Sequence, residues 1–431
     1  MSAMKAHILR NAAAALMLLA LLVVSCRKDE DYRTGHDSAY DENPLRPRRS
    51  DPITRKVLLV YSAGFNSLSG YLREDIQDLC EGSFIPGNRV SAPVLLVFSR
   101  QPVASGQYGT PTAPALFRIY RDIYGEVIRD TLHVPGLTEN TVASSGETLN
   151  RVLSFVRDRY PGSRYGMVFS SHASGWLPPG YFSNPESYDG EGGGIWNVGR
   201  RSIGQDVGVD ASIEMSLGEF RDALPMHLDY LLFDACLMGT VEVAYELREK
   251  ADTIGFSQTE ILAEGFDYTR MAWNLLSDEG SGALGVCRDY FEQYNQRSGR
   301  DRSATISVVD CHQMEALAQA CAPLFERHYD AIHSLSGRTV QPYFRYDKHW
   351  FYDLEDILTQ AGMTDAEKAE LEAALERALP YRAATPVFLS IPIERYCGLS
   401  MFLPSPQSSS DFLRNYYKEN IAWNTATGLV H

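Results

Sequence analysis

Two residues of this 431-residue sequence stand where reactive groups are expected, a cysteine and a histidine 64 positions apart. Cys236 follows an apolar run of strand type, residues 228–234 (LDYLLFD), and precedes an amphipathic pattern from about Gly239 with Val241, Ala244 and Leu247 on one side. That order reads as a buried strand passing into a helix. His172 closes a second run of the same kind, residues 164–172 (RYGMVFSSH), and small residues follow it. In an open parallel α/β sheet, ligands sit outside the carboxyl ends of the strands. A thiol placed there becomes a nucleophile once ionised, and a neighbouring imidazolium lowers its pKa from about 8.5 into or below the neutral range. The imidazole can then protonate a departing amine. A Cys/His hydrolase site is the chemistry these two residues predict.

Other groups gather around the pair. Asp234 lies two positions before Cys236, so in an extended segment both side chains leave the same face. A carboxylate at the mouth of an apolar sheet needs a partner, which a substrate Arg or Lys supplies; backbone N–H groups at the following helix start are the alternative. Glu260, Glu264 and Asp267 follow on the next edge loop and offer a second acidic wall. The run Asp189-Gly190-Glu191-Gly192 carries oxygens of the kind that bind calcium, without the EF-hand spacing, so no cofactor is required by the sequence. Zinc-peptidase, serine-hydrolase and phosphate-loop motifs are absent.

The elements that must position these residues read as follows. Residues 56–62 (KVLLVYS) and 93–99 (PVLLVFS) are buried strands joined through a helix capped by Asn66 and Ser67 and running to about Leu79, a βαβ opening that implies a parallel sheet. Residues 115–134 alternate about Tyr124-Gly125 and suit a hairpin. A helix starts at a capping box in residues 144–147 and ends before Pro161-Gly162. Residues 173–215 are rich in Gly, Pro, Ser and Asp, longer than an ordinary connection. Strands follow at 252–257 and 304–309, helices at 267–277, 282–296, 313–335 and 364–379, and short strands at 382–403. The aromatic cluster of residues 343–352 reads as partly packed surface.

At 44% hydrophobic residues the chain can build a full core, and its net charge of -15 argues against nucleic acid as a partner. Residues 1–25 read as an export signal, with Lys5 and Arg10 ahead of an apolar run too short to span a bilayer. The run closes on Val23-Val24-Ser25-Cys26, similar to the bacterial lipobox, which makes Cys26 the lipidation site and the membrane a partner through that lipid. An ordinary signal peptide containing a Cys is the alternative. Residues 26–52 are polar and Pro-punctuated, a disordered tether. Of 7 cysteines, those other than Cys26 and Cys236 form an odd set without paired spacing, which argues against a disulfide framework.

The segments SSHASGW (residues 170–176) and FDACLMGTVEVAYEL (233–247) resemble the clostripain family of cysteine peptidases, supported by VLLVYSAGFNSLSGYL (57–72) and IGFSQTEILAEGFDY (254–268). The resemblance implies a caspase-like three-layer α/β/α sandwich with a mostly parallel sheet. It divides the chain into a peptidase core at 53–300 and an α+β carboxyl-terminal extension at 301–431. It also implies His172 and Cys236 as a catalytic dyad, an oxyanion hole from the backbone N–H groups of Cys236 and Ala173, and cleavage after Arg or Lys with Asp234 in the pocket, joined by Glu264 or Asp267. The family usually has Gly where this chain has Ala173. Relatives cut themselves between the catalytic His and Cys after a basic residue, and Arg200 and Arg201, in the polar stretch of residues 197–206, are the candidate position. The expected protein is an exported, lipid-anchored endopeptidase of a bacterial envelope. Its rival is an inactive surface lipoprotein that binds peptides or glycans.

Overall fold

The fold is set by runs of Val, Leu, Ile and Phe that leave no polar face for water, the pattern of strands buried on both sides. The computed structural model describes residues 55–109, 112–183, 185–189, 203–207, 212–344 and 350–431. Cys26, Arg200, Arg201 and residues 190–192 lie outside the described residues. In chain order the strands up to residue 384 are β1 (Lys56–Ala63), β2 (Val94–Arg100), β3 (Ala115–Arg121), β4 (Val127–Leu132), β5 (Arg164–Ser170), β6 (Ile203–Val207), β7 (Ser212–Met215), β8 (Leu228–Asp234), β9 (Ala251–Phe256), β10 (Thr305–Asp310), β11 (Tyr352–Asp353) and β12 (Tyr381–Ala384). One sheet of nine strands runs β12-β10-β9-β8-β5-β1-β2-β3-β4. Its middle five, β9-β8-β5-β1-β2, are mutually parallel, and the flanking strands are antiparallel.

Alternate residues of each strand face opposite layers. Leu58, Val60, Leu95 and Val97 pack on α1 (Ser69–Glu81) through Ile76 and Leu79. Leu59, Tyr61, Leu96 and Phe98 face the other way, onto α2 (Gly146–Arg159) through Leu149, Val152 and Val156. That second layer also holds α3 (Leu217–Ala223) and α4 (Val241–Leu247). The first is completed by α5 (Tyr268–Leu276) and α6 (Gly282–Asn295). The result is the expected three-layer α/β/α sandwich, in which each fully buried aliphatic or Phe side chain contributes roughly 1.5–3 kcal/mol.

Chain order reverses beside β1: the chain leaves it for β2 on one side, while β5 and β8 fill the other. A crevice therefore opens at the carboxyl ends of β1 and β5, the place where such sheets bind ligands.

Several expectations are corrected. The division at residue 300 runs through the sheet, since β10 pairs with β9 and β12 with β10. Residues after 300 complete its edge. The single helix expected over 313–335 is two, α7 (Met314–Arg327) and α8 (Tyr329–Ser334). Residues 203–206, the end of the polar stretch at 197–206, form most of β6, where Asp206 is buried and ion-paired with Arg100. Tyr343, Phe344, Trp350, Phe351 and Tyr352 are buried core. Cys80, Cys236, Cys287, Cys311, Cys321 and Cys397 are free thiols. No helix among the described residues is long and apolar enough to cross a membrane.

Candidate active site

The histidine is held by the ends of three strands. Past β1, the side chain of Asn66 is fully buried and donates to the carbonyls of Ala63 and Gln205, each at 2.8 Å, and to the Ser171 hydroxyl at 3.3 Å. Ser171 in turn donates to Ala63 O at 2.8 Å. On the far side, Gly204 N donates to His172 O at 2.9 Å, and Ala173 bridges Ile203. The backbone of His172 is thus fixed between the turn after β1 and the hairpin strand β6. Its ring nitrogen Nε2 meets Ser67 Oγ at 2.9 Å.

Cys236 sits on the sharp turn between β8 and α4. Leu237 adopts a positive φ of 62°, rare for a bulky residue, and is fully buried with its N–H on Thr259 O at 2.9 Å. Gly239 N donates to Ser257 O at 2.7 Å. The glycine is needed there, because a Cβ would lie 2.5 Å from Gln258 Nε2 and 2.6 Å from Gln258 N. Thr240 caps α4 by accepting from Val243 N. The turn therefore leans on residues 257–261, and Ile261 N–H points at Cys236 Sγ from 3.4 Å. The thiol in turn lies 3.9 Å from Ile261 O, so both backbone groups of Ile261 face the sulfur.

His172, Ala173, Asp234 and Cys236 line one cavity of about 340 Å³, together with Ser170, Glu260 and Gly265. β5 and β8 are paired in register, Ser170 beside Asp234, so the two strands deliver His172 and Cys236 to neighbouring positions. Asp234 is 7% exposed and accepts from the Tyr268 hydroxyl at 2.8 Å and the Ser170 hydroxyl at 3.3 Å. Burial raises its carboxyl pKa; the bonds from Tyr268, Phe266 N–H and Ser170 act against that. Its partners come from β5, the loop after β9 and the first residue of α5 rather than from the start of α4. Gly265 makes room for it, since a Cβ would stand 2.5 Å from Asp234 Oδ2.

Glu264 and Asp267 line a different cavity, beside the first. Glu264 lies 3.7 Å from Arg297, and Asp267 caps α5 by accepting from Thr269 N at 3.0 Å. The acidic residue of that loop facing the Cys236 cavity is Glu260. Among the described residues no group of three His, Cys, Asp or Glu side chains is arranged to hold a metal ion. Sequence reasoning missed Ser67 and Ile261. Ser67 was legible in one respect, because it follows a parallel strand at its carboxyl end; the amide of Ile261 carries no side-chain signal.

The profile of the clostripain family matches residues 60–427. Clostripain of Hathewaya histolytica is 26% identical over 220 residues, 48% of this chain and 35% of its own length, so the match spans about a third of that relative. A solved structure described as an inactive zymogen C11 protease from Parabacteroides distasonis is 27% identical, covers 88% of this chain and 99% of its own, and superposes with a TM-score of 0.70. A secreted C11 cysteine protease from Bacteroides thetaiotaomicron, solved with an irreversible peptide inhibitor, has the same fold at 23% identity, with 86% and 98% coverage and a TM-score of 0.68.

Proposed function

The chain belongs to the clostripain family, and from that premise we propose that it is a cysteine endopeptidase cutting after Arg or Lys. The observation that carries the reading is the shared cavity of Cys236 and His172 at the ends of two adjacent parallel strands. In the proposed reaction the Cys236 thiol loses its proton to His172, and Sγ attacks the carbonyl carbon of the scissile bond. The oxygen that becomes negative is stabilised by the backbone N–H groups of Ala173 and Cys236. The C–N bond then breaks, the imidazolium gives its proton to the departing amine, and a thioester remains on Sγ. Water, deprotonated by His172, cleaves that thioester and restores the thiol.

Asp234 receives the basic side chain in this reading, with Glu260 on the same cavity wall. Hydrogen bonds from Tyr268 and Ser170 hold the carboxylate in place, so little freedom is lost when the guanidinium or ammonium arrives. Glu264 and Asp267 stand one wall away. Export, lipidation of Cys26 and residence on a bacterial envelope complete the proposal. So does self-cleavage at Arg200 or Arg201, to which the zymogen described for the Parabacteroides relative lends support.

One experiment tests the chemistry and the maturation together. The purified protein is treated with arginyl and lysyl acyloxymethyl ketones carrying a fluorophore, then run on a denaturing gel. The expected result is label on Cys236, in a fragment separate from the one bearing His172, with neither label nor fragments in Cys236→Ala. Hydrolysis that persists in Cys236→Ala would remove the mechanism. Label on an intact chain would remove self-cleavage alone.

A further inference from the structure

A second cavity of about 390 Å³ adjoins that of Cys236. The two share a wall. Along α1 and the turn before it, Leu68 and Leu72 face the first cavity, while Glu74, Asp75 and Asp78 face the second. Along the loop after β9, Ala263 and Gly265 face the first, and Glu264 and Asp267 the second. Among the described residues, five carboxylates thus line the second cavity against a single cation, Arg297, which stands 3.7 Å from Glu264 with its guanidinium over the Tyr294 ring.

Asp75 is the group that points to a ligand. It is 7% exposed, opens into this cavity, and has no hydrogen-bond donor or counter-ion among the described residues. Its charged neighbours are Asp234, Asp78 and Glu74, all of the same sign, and they add to burial in raising its pKa. Burial and these like charges keep the carboxyl protonated while the cavity is empty, with a pKa pushed up to about 9; a cation entering the cavity offsets the like charges and draws it back to the charged form. The carboxylates are not grouped closely enough to ligate a metal ion among the described residues. A guanidinium or ammonium on a flexible stem needs no such convergence, and the stem packs on apolar surface while its head reaches the charge. Tyr71 and Phe266, which line the same cavity, supply that surface.

We propose that this cavity is a second cation subsite, taking the side chain of a basic residue that flanks the cleaved bond, so that the preferred substrates are peptides with two basic residues close together. The inference rests on the peptidase reading given above, with the first basic side chain at Asp234.

The test uses internally quenched peptides with one Arg at the cleavage position. A second position is varied among Arg, Lys, norleucine and Glu, at each of the three residues before and two after that Arg. kcat/KM is measured for the active wild type, Asp75→Asn and Asp78→Asn. At one flanking position, Arg or Lys should exceed norleucine by about tenfold in the wild type, as a desolvated charge pair at close quarters gives. Asp75→Asn should bring that ratio close to one, and Asp78→Asn should lower it partway. If Asp75→Asn fails to fold, Asp78→Asn with Glu264→Gln carries the comparison. Wild-type cleavage with no preference at any flanking position overturns the inference and leaves the peptidase intact, as does a preference unchanged in all the variants. No cleavage of any Arg peptide removes both. Calcium that binds the wild type but not Asp75→Asn, with no flanking preference, would replace the basic side chain with a metal ion and overturn the proposal.

Discussion

Ser67 Oγ lies 2.9 Å from Nε2 of His172, joining the turn after β1 to the end of β5 across the crevice where the sheet changes direction. A hydrogen bond at one ring nitrogen fixes the tautomer and so decides which state the other nitrogen offers to the reaction. Ser67→Ala should lower kcat about tenfold with KM little changed, as loss of a bond contributing about 1–1.5 kcal/mol implies. The low-pH limb of the rate profile should move as well, and Ser67→Thr, which restores a hydroxyl, should recover most of the rate. An unchanged pH profile, or Thr no better than Ala, would make Ser67 a bystander.

The raised pKa of Asp234 gives a pH signature that does not depend on the dyad. Burial is the main cause, so the carboxyl takes its charge only above the ordinary range near about 4. The kcat/KM ratio of an Arg peptide to its citrulline counterpart cancels the titration of Cys236 and His172. That ratio should climb as pH rises through the raised pKa in the wild type and stay low and flat in Asp234→Asn. The linked stability runs the other way. The folded chain keeps a proton that the unfolded chain has lost, so this group's contribution is present below the unfolded pKa and lost as pH rises through the folded one. Wild type should lose Tm relative to Asp234→Asn as pH rises from about 4 through about 6, with no further change above that window. A pH-independent ratio would take Asp234 out of the pocket.

Gly239 is the residue of the cysteine turn least able to change. A Cβ there meets the Gln258 backbone nitrogen at 2.6 Å, and backbone cannot step aside cheaply. Gly239→Ala should push residues 257–261 away, cost roughly 1–3 kcal/mol of stability, and reduce labelling of Cys236 through loss of the Ile261 N–H near sulfur. The check is denaturant unfolding beside probe-labelling rate. A variant of wild-type stability and reactivity would mean the turn tolerates the displacement.

Much of this arrangement is legible in the sequence itself. The segments KVLLVYS, PVLLVFS, RYGMVFS and LDYLLFD became β1, β2, β5 and β8 within a residue or two, because strands buried on both faces leave uninterrupted apolar runs. Strand β6 was missed for the converse reason. Its IGQDV sequence looks like loop, yet Gln205 and Asp206 are buried. Asn66 bonds the Gln205 carbonyl, and Arg100, Ala143 N–H and Ser144 engage the Asp206 carboxylate. Those partners lie 62 to 139 residues away in sequence, beyond the reach of any local pattern. Asp75 was hidden in a similar way, since a carboxylate on an amphipathic helix reads as solvent-facing until the loop after β9 covers it. The aromatic run around Trp350 reads as surface because nothing local indicates that Tyr181 and Phe182 pack on it.

The register that sets Ser170 beside Asp234 also determines what a break in the long connection between β5 and β8 would do. The two pieces would share one continuous ladder, β1 and β5 from the first with β8 and β9 from the second, so they would stay together without a covalent link. Folding, however, would change molecularity. A single chain closes that ladder at the modest entropy cost of a loop, whereas two fragments must find each other by diffusion, at a rate set by their concentration. A nicked molecule that unfolds at high dilution would then have little prospect of reforming the sheet, and its persistence would rest on how slowly the central strands part.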